Sequence, residues 1–448
     1  MTNITRRDSL VLGAAALGAA AVPIAGAQAA ITDVPTENVT PPAYKIEPGA
    51  TLRVLRPAKF VDPDGKYYIE NTDKFAKATG VKVQLSFVSW EDLRPQTAVA
   101  ANTGAGPDVI LGWYSDPQIY ASKVLDLTDL ADYLGKKYGG WYPLAELYGK
   151  KWGAKEWLSI PFGGSSGPFV YRKSWLNQAG YEKIPDDLNE LLTMCEKLKK
   201  IGHPVGFALG HAVGDGNAFA NWLMWSHNAA LLDPAGKVML DSKETLAALR
   251  YVKEMYPLMI SGTLSWNDAS NNKLYAAGDI SLTQNGVSIY YVLKNSPDKT
   301  LQEMGADTYH QLPSFGFAKH APEAALVVNA MVMKHTKYPN AAREYLRFMM
   351  EKDQYGEWLQ ACYGYWSNPL KNYSKMKFWT ADPKLAPYAA GMDTPYYDCY
   401  DGPITAKTSA IAANYTVVDM FASVASGNAT PEAAAKEAAR QAARFLKV

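Results

Sequence analysis

Residues 104–117 read GAGPDVILGWYSDP. Val109-Ile110-Leu111 is a continuous apolar run, as in a parallel strand covered on both faces. With only Gly112 between, the run meets Trp113, Tyr114, Ser115 and Asp116. Upstream, Leu52 to Leu55 is a short strand candidate. Ile69 to Ala78 repeats at helical spacing and is closed by Gly80. Val81, Val83, Leu85 and Phe87 alternate as a strand does, and residues 91–101 read helical. Strand, helix, strand, helix, strand is the βαβ rhythm of an α/β sheet. Ligands of such sheets lie outside the carboxyl ends of the strands. Trp113 to Asp116 therefore read as the edge of a site, the alternative being a loop with one core Trp.

Downstream, residues 160–172 read IPFGGSSGPFVYR. Gly163, Gly164 and Gly167 remove side chains before Phe169-Val170-Tyr171 resumes a strand. Such a segment can cross between domains or present N–H groups to a ligand. No Gly-Lys-Ser/Thr follows, so it is not a phosphate-binding loop. A helix follows Pro185, with Asp186 as its expected cap and Leu188, Leu191, Leu192, Cys195 and Leu198 on one face. Pro339 and Pro431 open two further helices, the last Ala-rich and a strong helix former.

The start of the chain reads as an address. Arg6-Arg7 precede an apolar run of about 15 residues, Leu10 to Ile24, short of the roughly 17–25 needed to span a bilayer. Ala27-Gln28-Ala29 is a small-x-small cleavage site, so residues 1–29 are expected to be a secretory signal peptide. The paired arginines point to the twin-arginine route. Ser9 departs from that pattern and keeps the general secretory route open. Cleavage removes two of the 45 basic and one of the 44 acidic residues, which leaves equal numbers of each sign. Such neutrality argues against a nucleic-acid partner or a polybasic membrane anchor. Residues 30–49, with four Pro and one Gly, read as an extended leader. The remaining chain exceeds what one core serves, so two domains are expected.

The chemistry of catalysis is sparse. Three widely spaced cysteines and six scattered histidines show no metal-ligand spacing. Cys195 is expected as a buried thiol, and Cys362 and Cys399 could pair in an oxidising compartment. Asp186-Asp187 do not converge on one substrate, and no G-x-S-x-G or H-E-x-x-H motif occurs. Asp215, Asp268 and Asp279 are the acids that could supply a glycosidase pair. Neither cofactor nor metal is expected.

Aromatic residues stand out instead, with 12 Trp and 28 Tyr. Trp90, Trp113, Tyr114, Trp222, Trp225, Trp266, Tyr290, Tyr365 and Trp366 lie beside polar residues in loop-like segments. Aromatic faces cover the C–H face of a sugar while neighbouring polar groups satisfy its hydroxyls. The alternative for each is an ordinary core residue.

The order of these segments resembles the periplasmic solute-binding proteins of ABC importers, nearest the sugar-binding family that includes maltose- and glycerol-phosphate-binding proteins. The resemblance is carried by Gly104 to Val109, by a hinge-like strand at Trp157 to Arg172, and by the helix from Lys183 to Lys200. Ala276-Ala277-Gly278-Asp279-Ile280-Ser281 and the Pro339 to Phe348 helix complete it. It implies an α/β fold of two lobes with a hinge and an interlobe cleft (type II), with no enzymatic activity. The expected lobes are 50–165 plus 279–325 and 166–278 plus 326–448. It implies a monomer in the periplasm that captures a carbohydrate (sugar, polyol or derivative) and delivers it to an inner-membrane ABC permease. By the same resemblance the ligand residues would be Trp90, Trp113, Tyr114, Asp116, Gly164, Ser165, Trp222, Trp225, Trp266, Asn285, Tyr365 and Trp366. An anionic sugar would want Arg56, Lys59 or Arg172 in the cleft. The rivals are a secreted carbohydrate-active enzyme and a two-lobe binder of a polyamine or organic acid, the polyamine being favoured by a cleft dominated by carboxylates.

Overall fold

The apolar run at 109–113 forms the middle of a five-stranded sheet. The computed structural model describes residues 34–447 apart from positions 166, 313, 316–320 and 390. The expected signal peptide lies outside them. Strands β1 (Thr51–Pro57), β2 (Lys82–Val88), β3 (Val109–Trp113) and β4 (Ile160–Ser165) belong to this sheet. Strands β5 (Phe169–Arg172), β6 (Leu282–Gln284) and β7 (Thr308–Gln311) form a second sheet in the order β6-β5-β7. Strand β8 (Leu326–Val332) returns to the first, whose order is β2-β1-β3-β8-β4.

The pairing follows the apolar content. β1 runs parallel to both β2 and β3, with Val54 opposite Val109 and Leu55 opposite Ile110. Every residue of β3 and β8 is buried, as expected for central strands covered on both faces. β2 is the edge, and its Phe87 is partly exposed.

The strands overturn the expected lobe boundaries. β6 and β7 fall in the range assigned to lobe one but pair with β5. β8 falls in the range assigned to lobe two but lies between β3 and β4, antiparallel to each. The chain therefore crosses between 165 and 169 and again between 311 and 326. The helices Pro339–Met349 and Lys352–Ala361 follow β8 and pack on the helix Asp62–Thr79 of the first body, where the Phe75 ring lies 5.2 Å from that of Tyr345. The chain then returns, and the terminal helix Pro431–Lys447 packs on the helix Lys243–Met255 of the second body.

Two local expectations also change. The helix after Pro185 is Leu188–Lys200, and its cap is Asp187, which accepts from the N–H groups of Asn189 and Glu190. Asp186 instead pairs with Lys183. Cys195, Cys362 and Cys399 are all buried and free, so the Cys362–Cys399 bridge does not form.

The described part of the leader is a strap on the first body. The Glu47 carboxylate accepts from the N–H groups of Asn340 and Ala341, at 2.9 and 3.0 Å, and so caps the helix Pro339–Met349. Asn372 Nδ2 donates to the Pro35 carbonyl. Among the described residues no helix is long and apolar enough to cross a membrane.

Candidate functional site

A cavity lies where the two bodies face each other, and each contributes one wall. It encloses about 40 Å³, well below the roughly 300–1,000 Å³ of small-molecule sites. A sugar ring can enter only if the walls part.

The first wall is aromatic: Phe60, Trp90, Tyr114 and Tyr365, with Ser165 and Leu326. Phe60 stands on the loop after β1. Trp90 opens the helix Trp90–Thr103, whose cap Ser89 accepts from the Asp92 N–H. Trp90 is fixed from several sides. Its indole N–H donates to the Ala58 carbonyl at 3.0 Å, and Phe60 meets it edge-on at 4.9 Å. Trp113 packs at 4.6 Å and Trp366 stacks at 6.5 Å. Tyr114 follows β3 directly, in a left-handed conformation with φ 40°. The Tyr365 hydroxyl is buried and has no partner.

The second wall is polar. It comes from the start of the helix Asp215–Trp225, from Asp268, and from the end of β6 onward, with Gln284, Asn285 and Ser288. Asp268 accepts three backbone N–H groups, from Val213, Gly214 and Asp215, at 2.8–2.9 Å. It therefore caps that helix from a distant segment, where a negative charge meets the positive helix end. Burial pushes its carboxyl up to about 7. The neighbouring Asp215 carboxyl is raised well above the usual range by burial and by Asp268, and its Oδ2 has no partner. Gln284 Nε2 donates to the Gly167 carbonyl, and its Oε1 is buried without a partner. Asn272 holds this wall together: its Nδ2 donates to the Ser288 hydroxyl, and its Oδ1 accepts from Asn285. The cavity thus holds three buried, unpartnered polar atoms: Tyr365 Oη, Gln284 Oε1 and Asp215 Oδ2. Each is costly unless a ligand satisfies it.

Of the residues expected to bind ligand, Trp90, Tyr114, Ser165, Asn285 and Tyr365 line this cavity. The others do not. Trp113 lies behind Trp90 and donates to its carbonyl. Asp116 folds back on its own chain, accepting from the Trp113 N–H while pairing with Arg94 at 2.8 Å. Gly164 lies against Met392, where a Cβ would come within 2.3 Å of the sulfur. Trp222 is core between Phe169 and Phe315, and Trp225 stacks on Tyr396. Trp266 packs edgewise over Gly206 in the second body's core. Trp366 stands behind Trp90 with its N–H directed at Asp64. Phe60 and Gln284 carry no pattern that marks them in the sequence. Asp215 and Asp268 stand out there only as spare acids, and Asp279 is exposed outside the cavity. The cations considered for an anionic sugar are engaged elsewhere: Arg56 with Asp64, Lys59 with Asp62 and Arg172 with Asp307.

Glu323, beside the cavity-lining Ala324, has its carboxyl pushed up to about 8 by burial, against the lowering effect of the Gly167 N–H. Its folded pKa lies above the unfolded value of about 4.3. The stability this group permits is thus fully present below that value and is lost as pH rises through about 8. Glu323→Gln should therefore raise the urea midpoint at pH 8.5 and leave it nearly unchanged at pH 4. An equal gain at both would remove titration as the cause.

The fold is the two-lobe, type II architecture of periplasmic binding proteins. The chain belongs to the bacterial extracellular solute-binding protein family, whose model matches residues 70–387. Among solved structures it is similar to the maltose-bound MalE3 of T. maritima, at 18% identity and TM-score 0.74 over 89% of this chain and 100% of that one. It is also similar to a mannitol-bound ABC transporter solute-binding protein of Agrobacterium vitis S4, at 17% identity and TM-score 0.72 over 89% and 99%. Among curated proteins, a binding protein of Brucella abortus (strain 2308) is 23% identical over 233 residues, 50% of this chain and 55% of that one. The chain thus spans about half the length of the curated relatives it matches.

Proposed function

We propose that the chain captures a carbohydrate (sugar, polyol or sugar derivative) between its two walls and delivers it to an ABC permease of the inner membrane. The observation that carries this reading is the pairing of an aromatic wall with a polar one that bears buried, unpartnered groups. Trp90, Phe60 and Tyr365 cover a sugar's C–H face, and Tyr114 closes one side. Gln284 Oε1, Asp215 Oδ2, Asn285 and Ser165 meet its hydroxyls, which supply the donors these acceptors lack. Proteins of the same fold were solved with maltose and with mannitol bound. Closure of the walls over the solute shifts an open–closed equilibrium, and the permease reads the closed form. The mature protein is a monomer in the periplasm, exported by its signal peptide.

In this reading the chain binds and does not catalyse. The carboxylate of Asp268 is taken up by three backbone N–H groups, which leaves Asp215 without a free acid partner in the cavity. The test is thermal unfolding of the mature chain against sugars, polyols, sugar acids and amines. A solute that binds only the folded form stabilises it by about 2.7 kcal/mol at a hundred times its Kd. We expect a shift with a subset of sugars or polyols and their recovery unchanged. A shift confined to unhydroxylated amines or organic acids, or conversion of the sugar, would overturn the reading.

A further inference from the structure

The sign of the charge in the cavity narrows the solute. Among the described residues that line it, two are carboxyl groups, Asp215 and Asp268, and none is Lys, Arg or His. Charges from the surrounding elements do not reverse this balance. Glu91, on the helix that carries Trp90, acts on both carboxyls and adds to their burden. Glu323 is buried behind Ala324 and Gly167. The cations behind the aromatic wall are already paired, Arg94 with Asp116 at 2.8 Å and Arg56 with Asp64 at 2.6 Å.

Two further features point to what would relieve the acids. Gln284, only 4% exposed, presents an unpartnered acceptor beside Asp215 and Asp268 in the same wall. Opposite stand the rings of Phe60, Trp90, Tyr114 and Tyr365, and an aromatic face attracts a cation and repels an anion. A neutral hydroxyl can satisfy Gln284 and Tyr365 but leaves two buried acids beside each other. An ammonium group meets both the acids and the rings, and its N–H groups suit the acceptor-rich wall.

We infer that the solute is a hydroxylated molecule bearing one protonated amine, an amino sugar or aminopolyol, with its ammonium against Asp215 and its carbon frame on the Trp90 wall. This rests on the carbohydrate reading and sharpens it. Binding favours the ionised form of Asp215, so a proton leaves that carboxyl as the ammonium arrives. Affinity for the amine therefore rises with pH through the range in which Asp215 and Asp268 release their protons, provided the amine itself stays charged.

The test compares matched pairs by calorimetry on the mature chain: glucose with glucosamine, galactose with galactosamine, mannose with mannosamine, and sorbitol with 1-amino-1-deoxysorbitol. N-acetylglucosamine serves as a neutral amide and spermidine as an amine without hydroxyls. We expect at least one amino member to bind about tenfold or more tightly than its neutral partner, with an advantage that grows from pH 5.5 to 7. Asp215→Asn should shrink that ratio, and the wild-type pairs decide the matter even if the variant fails to fold. Neutral members binding as well as or better than their amines would overturn this inference and leave the carbohydrate reading standing. Binding of no member would overturn this inference alone, and binding of spermidine alone would overturn both.

Discussion

Trp90→Ala is expected to weaken solute binding by about 30- to 700-fold, the loss typical of a central aromatic anchor at about 2–4 kcal/mol. Trp90 lies at the centre of the aromatic wall, and its ring is held by Phe60, Trp113, Trp366 and the Ala58 carbonyl. Truncation removes the ring on which we propose the solute lies and also lets Trp113 and Phe60 collapse into the gap. Trp90→Phe keeps a smaller face and should recover part of the affinity. Trp152→Ala, at a ring that is 41% exposed and outside the cavity, is the control and should bind normally. Calorimetry with whichever solute gives the thermal shift decides it. A folded Trp90→Ala protein within threefold of wild-type affinity would remove this wall from the binding site.

The largest effect on stability is expected at Asp64. Its carboxylate pairs with Arg56 at 2.6 Å, and both side chains are buried, at 0% and 1% exposure. Its other oxygen accepts from the indole N–H groups of Trp358 and Trp366, at 3.0 and 3.3 Å. The Arg56 guanidinium lies 4.2 Å from the centroid of the Tyr68 ring and has two nitrogens without partners. Asp64→Ala leaves that cation buried with no counter-charge, orphans the Trp366 indole and leaves that of Trp358 only the backbone carbonyl of residue 64, a loss of about 3–5 kcal/mol. The double substitution Arg56→Met with Asp64→Leu removes the charges together and should recover much of the loss, because apolar replacements of a buried pair are tolerated. Urea unfolding of the three proteins measures this. A cost below about 1 kcal/mol for Asp64→Ala would show that the buried cation finds relief elsewhere. The pair also reaches the site, since Asp64 orients Trp366 and Trp366 backs Trp90.

The sequence carries the strands and helices of this protein more plainly than their assembly. β1 and β3 can be read locally from Leu52 to Leu55 and from Val109 to Leu111, and the helix Leu188–Lys200 shows its buried face at regular spacing. The position of β8 between β3 and β4 has no local signal, because nothing in these short runs specifies which partner strand each one takes. That pairing is what moved the lobe boundaries. The site divides in the same way. Trp90, Tyr114 and Tyr365 were visible as aromatics beside polar residues, but Trp222, Trp225 and Trp266 have the same surroundings in sequence and are core. Which way a ring faces depends on packing partners far along the chain. Asp268 caps a helix more than 50 residues away, a relation that spacing cannot reveal, so an acid that reads as spare turns out to build the polar wall.

The insertion of β8 governs the order in which the chain can mature. During synthesis β3 and β4 emerge early, but each shows an unpaired backbone edge until residues 326–332 arrive. By then the entire second sheet has been made. The first body, although it begins the chain, is therefore completed only after the second sheet exists, and the second body in turn waits for its terminal helix. Neither is built from one continuous stretch of chain. A nascent chain that stalls near residue 325 exposes two raw strand edges, the kind of surface on which chains join edge to edge. Keeping that interval short, or shielding it with a chaperone, is a demand this topology places on the cell that makes the protein.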